Sequence, residues 1–207
     1  MRLHRISHEY EGRVALHTRF FALELLRGET APRDILEQEW WLAAIQEPRA
    51  LFAAYPADNW PSTTLPAFDA VWAARRQGDK VAMDYDLRIR TGFFGQGRNI
   101  GDPQVLREIA AETSLDMARF DRDVANPEAR AAVIEESRVG REEFKVRGTP
   151  TMTLGDGTRL RLPFSHPTLR ERKIVAVSPL PCVGEGCDAA IRALFEQAIE
   201  AAREKNT

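Results

Sequence analysis

The sequence predicts an α/β fold in which a sheet is interrupted by a large all-helical insertion. Three observations support this. Residues 14–20 alternate in the manner of a half-buried strand, residues 151–162 form two alternating runs around an Asp-Gly turn, and the long stretch between them has helical periodicity.

The first strand is predicted from Val14, Leu16, Thr18 and Phe20, which share one face because successive side chains of a strand point to opposite sides. Residues 3–10 before it are compatible with a helix, although no start signal precedes them.

The middle of the chain contains several helix starts. A helical face of Ile35, Leu36, Glu39, Trp40 and Ala43 ends shortly before Pro48. Four later helices are predicted from polar capping residues, three of which are accompanied by a proline in the first turn: they start at Thr64, Asp102, Asp116 and Asn126.

Strand signals return in the last third of the chain. Asp156-Gly157 separates two alternating runs and predicts a hairpin, because both turn residues tolerate a positive φ. Residues 173–177 are a further short extended segment. Residues 188–203 predict a closing helix that buries Ile191, Leu194, Phe195 and Ile199.

Composition excludes several partners. Lys and Arg (29) nearly balance Asp and Glu (31), so no overall charge attracts nucleic acid or an anionic membrane. No run approaches a membrane span, and the first residues lead into no signal-peptide core, which predicts a cytoplasmic protein. Four scattered histidines and two cysteines predict no metal site, and no cofactor is predicted.

The two cysteines, Cys182 and Cys187, form a C-x4-C segment with glycines at 184 and 186. So short a loop with two glycines can bring the Cα atoms within disulfide range, and Cys187 precedes a predicted helix whose N-terminus favours a thiolate. The alternative is a pair of reduced cysteines in a loop, which is the more common state in the cytosol.

Two sequence segments resemble those of a known family. Residues 93–106, FFGQGRNIGDPQVL, resemble a stretch of the helical insertion in FrnE-type proteins, and residues 146–151, VRGTPT, resemble the loop that carries the cis-proline of the DsbA-like thioredoxin fold. The resemblance extends over nearly the whole chain. It implies a thioredoxin-like part at residues 1–25 and 146–207 and a helical insertion at residues 26–145.

The resemblance also implies what each segment does. Thr149 and Pro150 would form the substrate-binding edge, with Pro150 in the cis form rather than the more common trans form. Cys182 and Cys187 would be an accessory redox pair, since some FrnE-type relatives carry a second C-x4-C. The family's first strand and its Cys-x-x-Cys have no counterpart, because Met1 aligns within the helix that follows that motif.

A missing strand predicts a gap in the sheet between residues 14–20 and 151–154. Either these strands pair directly or another chain, for example in a homodimer, covers the open edges. An N-terminus assigned inside a longer reading frame is the favoured explanation, and a naturally degenerate family member is the other.

Three functions follow from the resemblance. The first is a thiol–disulfide oxidoreductase of the DsbA/FrnE type that acts on protein thiols and disulfides. The second is a glutathione-dependent isomerase or transferase, as in the 2-hydroxychromene-2-carboxylate isomerase and kappa classes. The third is a non-catalytic module that binds a peptide at the cis-proline edge.

Overall fold

The structure is a computed structural model and describes residues 1–56 and 58–204. Two compact units are present. The first contains residues 1–17, 34–50 and 148–207, and the second contains residues 18–33 and 51–147. The terminal unit and the helical unit, as we name them, are described separately below.

Helices account for most of the described residues, and the four short strands all lie after residue 151. The helices are α1 Arg2–Glu9, α2 Leu23–Arg27, α3 Arg33–Gln46, α4 Leu65–Arg75, α5 Asp79–Gln96, α6 Pro103–Ala111, α7 Met117–Val124, α8 Glu128–Glu142 and α9 Gly186–Glu204. The strands are β1 Met152–Thr153, β2 Arg159–Leu160, β3 Pro167–Arg170 and β4 Lys173–Val177.

The helical unit packs α4 against α5, α6, α7 and α8 around one apolar core. Tyr85 is fully buried and donates its hydroxyl to the Leu106 carbonyl oxygen at 2.9 Å, and its ring meets the ring of Phe120 edge-on. Alanines at 67, 70, 73 and 74 of α4 let the neighbouring helices approach closely. The core is therefore formed by small residues on α4 and large ones on its neighbours.

Two helix starts in this unit follow the predicted capping chemistry. The carboxylate of Asp102 accepts from the Gln104 amide at 2.8 Å, and that of Asp116 accepts from the Arg119 amide at 3.1 Å. Thr64 does occupy the position before α4, but its hydroxyl donates to the Glu24 carboxylate and does not cap the helix.

The segment at residues 93–106 contains the end of α5 and the start of α6. Gly97 ends α5 in the left-handed conformation with φ +62°, and a Cβ there would lie 2.5 Å from Cδ of Pro56. Both the conformation and the close approach require glycine at this position. Helix α5 itself was not predicted, because Gly78 starts it without a capping side chain.

The terminal unit contains α1, most of α3, the two hairpins and α9. Strands β1 and β2 pair antiparallel, with Met152 opposite Leu160, which confirms the hairpin expected around Asp156-Gly157. Strands β3 and β4 form a second antiparallel hairpin, of which only β4 was predicted. The two hairpins are separate sheets.

Helix α1 packs against α9 and forms the core of the terminal unit. Tyr10 stacks on Phe195 with ring centroids 4.7 Å apart. The closing helix begins at Gly186, two residues before the predicted start, and buries the expected face. The buried apolar cluster of the terminal unit consists of Ile6, Tyr10, Ile191, Leu194 and Phe195.

The predicted first strand at residues 14–20 is wrong, because none of these residues belongs to a strand. The alternation that suggested it is partly retained, since Val14 and Leu16 are half-buried and Phe20 is buried, but Thr18 of the same predicted face is exposed. Side chains satisfy the backbone here: the Phe20 amide donates to the Glu136 carboxylate at 2.6 Å, and the Thr18 carbonyl accepts from Arg75 at 2.7 Å. Residues 14–20 and β1 therefore do not pair directly, and β1 has only β2 as a partner among the described strands.

The domain boundaries stay a prediction. Residues 1–25 with 146–207 were expected to form one part and residues 26–145 the other. The compact units follow this division in outline, but residues 34–50, with most of α3, group with the terminal segments, and residues 18–25 group with the helices.

Candidate functional site

Cys182 and Cys187 form a disulfide in the structure, with their Cα atoms 5.0 Å apart. Gly184 in the loop between them has φ +51°, which glycine adopts without strain. Cys187 is the second residue of α9 and is 2% exposed, whereas Cys182 is half-buried. The short loop thus brings the two thiols together, as its length and glycines predicted.

The bridge lies beside the last turn of α3. Gln46, the final residue of that helix, is 8% exposed, and its Nε2 lies 3.7 Å from Sγ of Cys182. The same Nε2 donates to the carbonyl oxygens of Pro163 at 3.0 Å and Cys182 at 3.4 Å. The disulfide loop also binds α3 through its backbone, because the Gly184 amide donates to the Ile45 carbonyl oxygen at 3.3 Å.

Arg2 of α1 connects the elements around the bridge. Its Nη2 donates to the carbonyl oxygens of Gln46 at 2.6 Å and Gly184 at 2.8 Å, and its Nε donates to Oδ1 of Asp188 at 2.7 Å. The side chains of Arg2 and Asp188 are only 12% and 11% exposed. One guanidinium therefore holds the end of α3, the disulfide loop and the first turn of α9.

Asp188 is the residue next to Cys187 and is buried. Burial acts to raise the pKa of its carboxyl, but hydrogen bonds from Arg5 and Arg2 outweigh that effect, so the pKa is lowered below its ordinary value of 3.8. Arg5 donates to Oδ2 at 2.6 Å. The carboxylate beside the bridge is thus charged and paired at neutral pH.

Thr149 and Pro150 are exposed, and Thr151 alone separates them from β1. The peptide bond between them is cis. The hydroxyl of Thr151 donates to the Gly148 carbonyl oxygen at 2.7 Å, which turns the chain at this point. Among the described hydrogen bonds and ion pairs, none joins Thr149 or Pro150 to either cysteine.

A family model described as a DSBA-like thioredoxin domain matches residues 3–170. The chain belongs to the DSBA-like thioredoxin domain family. The two segments that resemble this family, residues 93–106 and 146–151, lie inside the matched range, whereas Cys182 and Cys187 lie outside it. Membership of the family connects the fold to thiol–disulfide chemistry without assigning that chemistry to these two cysteines.

One relative is similar over part of its length. The chain is 35% identical over 81 residues to the ClpXP adapter protein SpxH of Bacillus subtilis (strain 168), a match that covers 39% of this chain. The matched segment spans 27% of that relative.

Neither a metal centre nor a membrane helix occurs in the part of the chain that the structure describes. No three His, Cys, Asp or Glu side chains of residues 1–56 and 58–204 come close enough to hold a metal ion. No helix over the same residues combines the length and the apolar character that crossing a bilayer requires.

Sequence reasoning identified the cysteines but missed Arg2, Gln46 and Asp188. These residues are far from each other in the chain, and Arg2 alone is separated from Asp188 by 186 positions. Glutamine and arginine carry no pattern by themselves that would indicate a neighbouring sulfur. Asp188 had a weak signal, because an acidic residue in the first turn of a helix is favoured by the helix dipole.

Proposed function

We propose that the chain exchanges its Cys182–Cys187 disulfide with thiols of a protein client, as a thiol–disulfide oxidoreductase of the FrnE type. One observation carries the proposal: a chain of the DSBA-like family has a disulfide in which one sulfur belongs to a half-buried residue and the other to a fully buried one. In disulfide exchange one sulfur must be reached from solvent while the other leaves.

The proposed exchange starts at the less buried of the two cysteines, Cys182. A client thiolate attacks Sγ of Cys182, the Cys182–Cys187 bond breaks, and Cys187 leaves as a thiolate in the first turn of α9, where the helix dipole stabilises it. A second client thiolate then attacks the client sulfur of the mixed disulfide, and Cys182 leaves as a thiolate. Two electrons pass from the client to the chain, the client gains a disulfide, and the two cysteines end reduced.

Thr149 and Pro150 are proposed as the client-binding edge. Both are exposed, and β1 next to them has one strand partner among the described residues, so its other edge offers backbone groups to an extended peptide. A second copy of the chain in a homodimer could occupy the same edge, which analytical ultracentrifugation would reveal as a concentration-dependent dimer.

Glutathione redox buffers test the exchange directly. The protein is equilibrated over a range of ratios of reduced to oxidised glutathione, quenched in acid and labelled with a maleimide. We expect one reversible two-electron transition in the wild-type chain. The Cys187→Ala variant should form a mixed disulfide with a model peptide disulfide at least tenfold faster than Cys182→Ala, because Cys182 is the accessible residue.

Two results would overturn the proposal. One is a bridge that glutathione does not open under native conditions. The other is oxidase or insulin-reductase activity that survives in Cys182→Ala, since the chemistry would then lie elsewhere.

A non-catalytic binding module is the second candidate. It is supported by the likeness to a relative named as a ClpXP adapter, together with the open edge of β1. A chain of this kind would bind its partner equally well with and without the bridge. Binding measured for wild type and for the Cys182→Ala/Cys187→Ala variant separates the candidates: equal affinity and no redox activity favour the module.

The glutathione-dependent isomerase or transferase stays a prediction, and so does the cytoplasmic location. The FrnE subtype is part of the proposal and is supported by the two sequence segments at residues 93–106 and 146–151.

A further inference from the structure

Gln46 is a buried amide whose donor group points at a sulfur. Its Nε2 lies 3.7 Å from Sγ of Cys182, and Gln46 is one of the few buried polar residues in the part of the chain that the structure describes. Sulfur in a disulfide is a weak acceptor, but a thiolate is a strong one, so this contact gains strength when the bridge opens.

We propose that Gln46 stabilises the Cys182 thiolate and thereby sets the reactivity of the accessible cysteine. This inference rests on the proposed exchange at the bridge and adds to it the residue that controls one of its two sulfurs. A hydrogen bond to the charged form of a group lowers its pKa. The amide thus lowers the pKa of the Cys182 thiol and makes Cys182 a better leaving group in the second step of exchange.

The structure holds this amide in place by contacts other than the disulfide. Arg2 donates to the carbonyl oxygens of both Gln46 and Gly184, and the Gly184 amide donates to the Ile45 carbonyl oxygen. The end of α3 and the loop are therefore joined through their backbones. Opening the bridge breaks none of these hydrogen bonds, so Nε2 stays close to Sγ in the reduced chain.

The two cysteines thus have different stabilising groups. Cys187 lies in the first turn of α9, where the helix dipole acts on it. Cys182 precedes the helix, and the described donor near its sulfur is the Gln46 amide. Loss of that amide should affect Cys182 and leave the thiol of Cys187 largely unchanged.

A purely structural role for Gln46 is the competing explanation, because Nε2 also donates to the Pro163 and Cys182 carbonyl oxygens. The pKa of the Cys182 thiol distinguishes the two roles. It is measured in the Cys187→Ala background, where Cys182 is the single thiol, from the pH dependence of alkylation by iodoacetamide. Charged groups around the loop are the same in all variants: Arg2, Glu47, Arg49, Glu185 and Asp188.

Gln46→Leu should raise the pKa of Cys182 by about one unit, which lowers the thiolate fraction at neutral pH about tenfold. Gln46→Met keeps the length of the side chain but has no donor and no charge, and it should raise the pKa to a similar extent. Gln38→Leu is the matched control, because Gln38 lies on the same helix and donates to carbonyl oxygens of Asp34 and Arg172 away from the bridge.

An unchanged Cys182 pKa in folded Gln46→Leu or Gln46→Met would overturn the inference. If Gln46→Leu fails to fold, Gln46→Met decides. The result is separate from that of the proposed function: a raised pKa in a chain whose bridge does not exchange with glutathione would retain the role of Gln46 and reject the exchange. Exchange with glutathione in a chain whose Cys182 pKa does not change would retain the proposed exchange and reject the role of Gln46.

Discussion

The helical unit and the terminal unit reach a folded state by different means. In the part of the chain that the structure describes, the helical unit buries sixteen residues in one apolar cluster, and the terminal unit buries five. The terminal unit has in addition the Cys182–Cys187 bridge and the buried Arg2–Asp188 pair. Units that bury little apolar surface commonly depend on covalent or charged links, and here those links surround the candidate site.

This difference has a functional consequence. A core of packed side chains changes little with redox conditions, whereas a unit fastened by a disulfide depends on them. The residues that support the proposed chemistry, Arg2, Gln46 and Asp188, are the same residues that connect α1, α3 and α9. Stability and redox state are thus expected to be coupled in the terminal unit and independent in the helical unit.

The largest effect is expected in the helical core. Phe120 is 1% exposed and packs edge-on against Tyr85, so Phe120→Ala should lower the free energy of unfolding by about 3–5 kcal/mol. Phe144→Ala is the control, since Phe144 is 50% exposed in the same unit. Urea unfolding followed by circular dichroism measures both. Equal costs for the two variants would contradict the assignment of the core.

The second effect concerns the buried ion pair of the terminal unit. Asp188→Asn removes the carboxylate that accepts from Arg2 and Arg5, which then have only Glu47 at 3.5 Å and Glu9 at 3.8 Å as described ion-pair partners, and it should cost about 1–3 kcal/mol at pH 7. The pKa of Asp188 is lowered in the folded chain, so its contribution is present above the ordinary value of 3.8 and is lost as pH falls through the folded value. The stability difference between wild type and Asp188→Asn should therefore shrink below about pH 4.

Asp34→Asn serves as the control for this pair. Asp34 binds Arg172 through both carboxylate oxygens, but the two side chains are 52% and 60% exposed. Solvent screens such a pair, so this variant should change the unfolding midpoint little. A difference for Asp188→Asn that stays constant from pH 7 to pH 2 would contradict the role of the charged carboxylate.

Much of the fold could be predicted from local signals. Asp102 and Asp116 mark helix starts because a carboxylate binds free backbone amides, and Asp156-Gly157 marks a hairpin because both residues suit its turn. Helix α5 was missed because Gly78 gives no such signal. The alternation of residues 14–20 predicts a strand that the structure does not have, because alternation reports burial on one side and does not report what the backbone binds.

The cysteines of the candidate site could also be predicted from a local signal, but the residues around them could not. Cys182 and Cys187 are five positions apart, so loop length decides whether they meet. Gln46 lies 136 positions from Cys182, and only the folded chain brings them together. Long-range polar contacts of this kind leave no periodicity in a single sequence, which is why the bridge was expected and its surroundings were not.

Reduction of the bridge gives an effect no larger than that of Asp188→Asn, and it is the sharpest test of the comparison. Closing so short a loop restricts the unfolded chain modestly, and loss of the bond should cost about 2 kcal/mol. Hydrogen exchange with and without a phosphine reductant measures where that loss falls. Amides of α9 and α1 should exchange faster after reduction, while those of α4 and α5 keep their rates, because the bridge lies within the terminal unit. The Cys182→Ala/Cys187→Ala variant is the control, since the reductant should not change its exchange. Faster exchange throughout the chain would instead mean that both units unfold as one, and the coupling of redox state to stability would then extend to the whole protein.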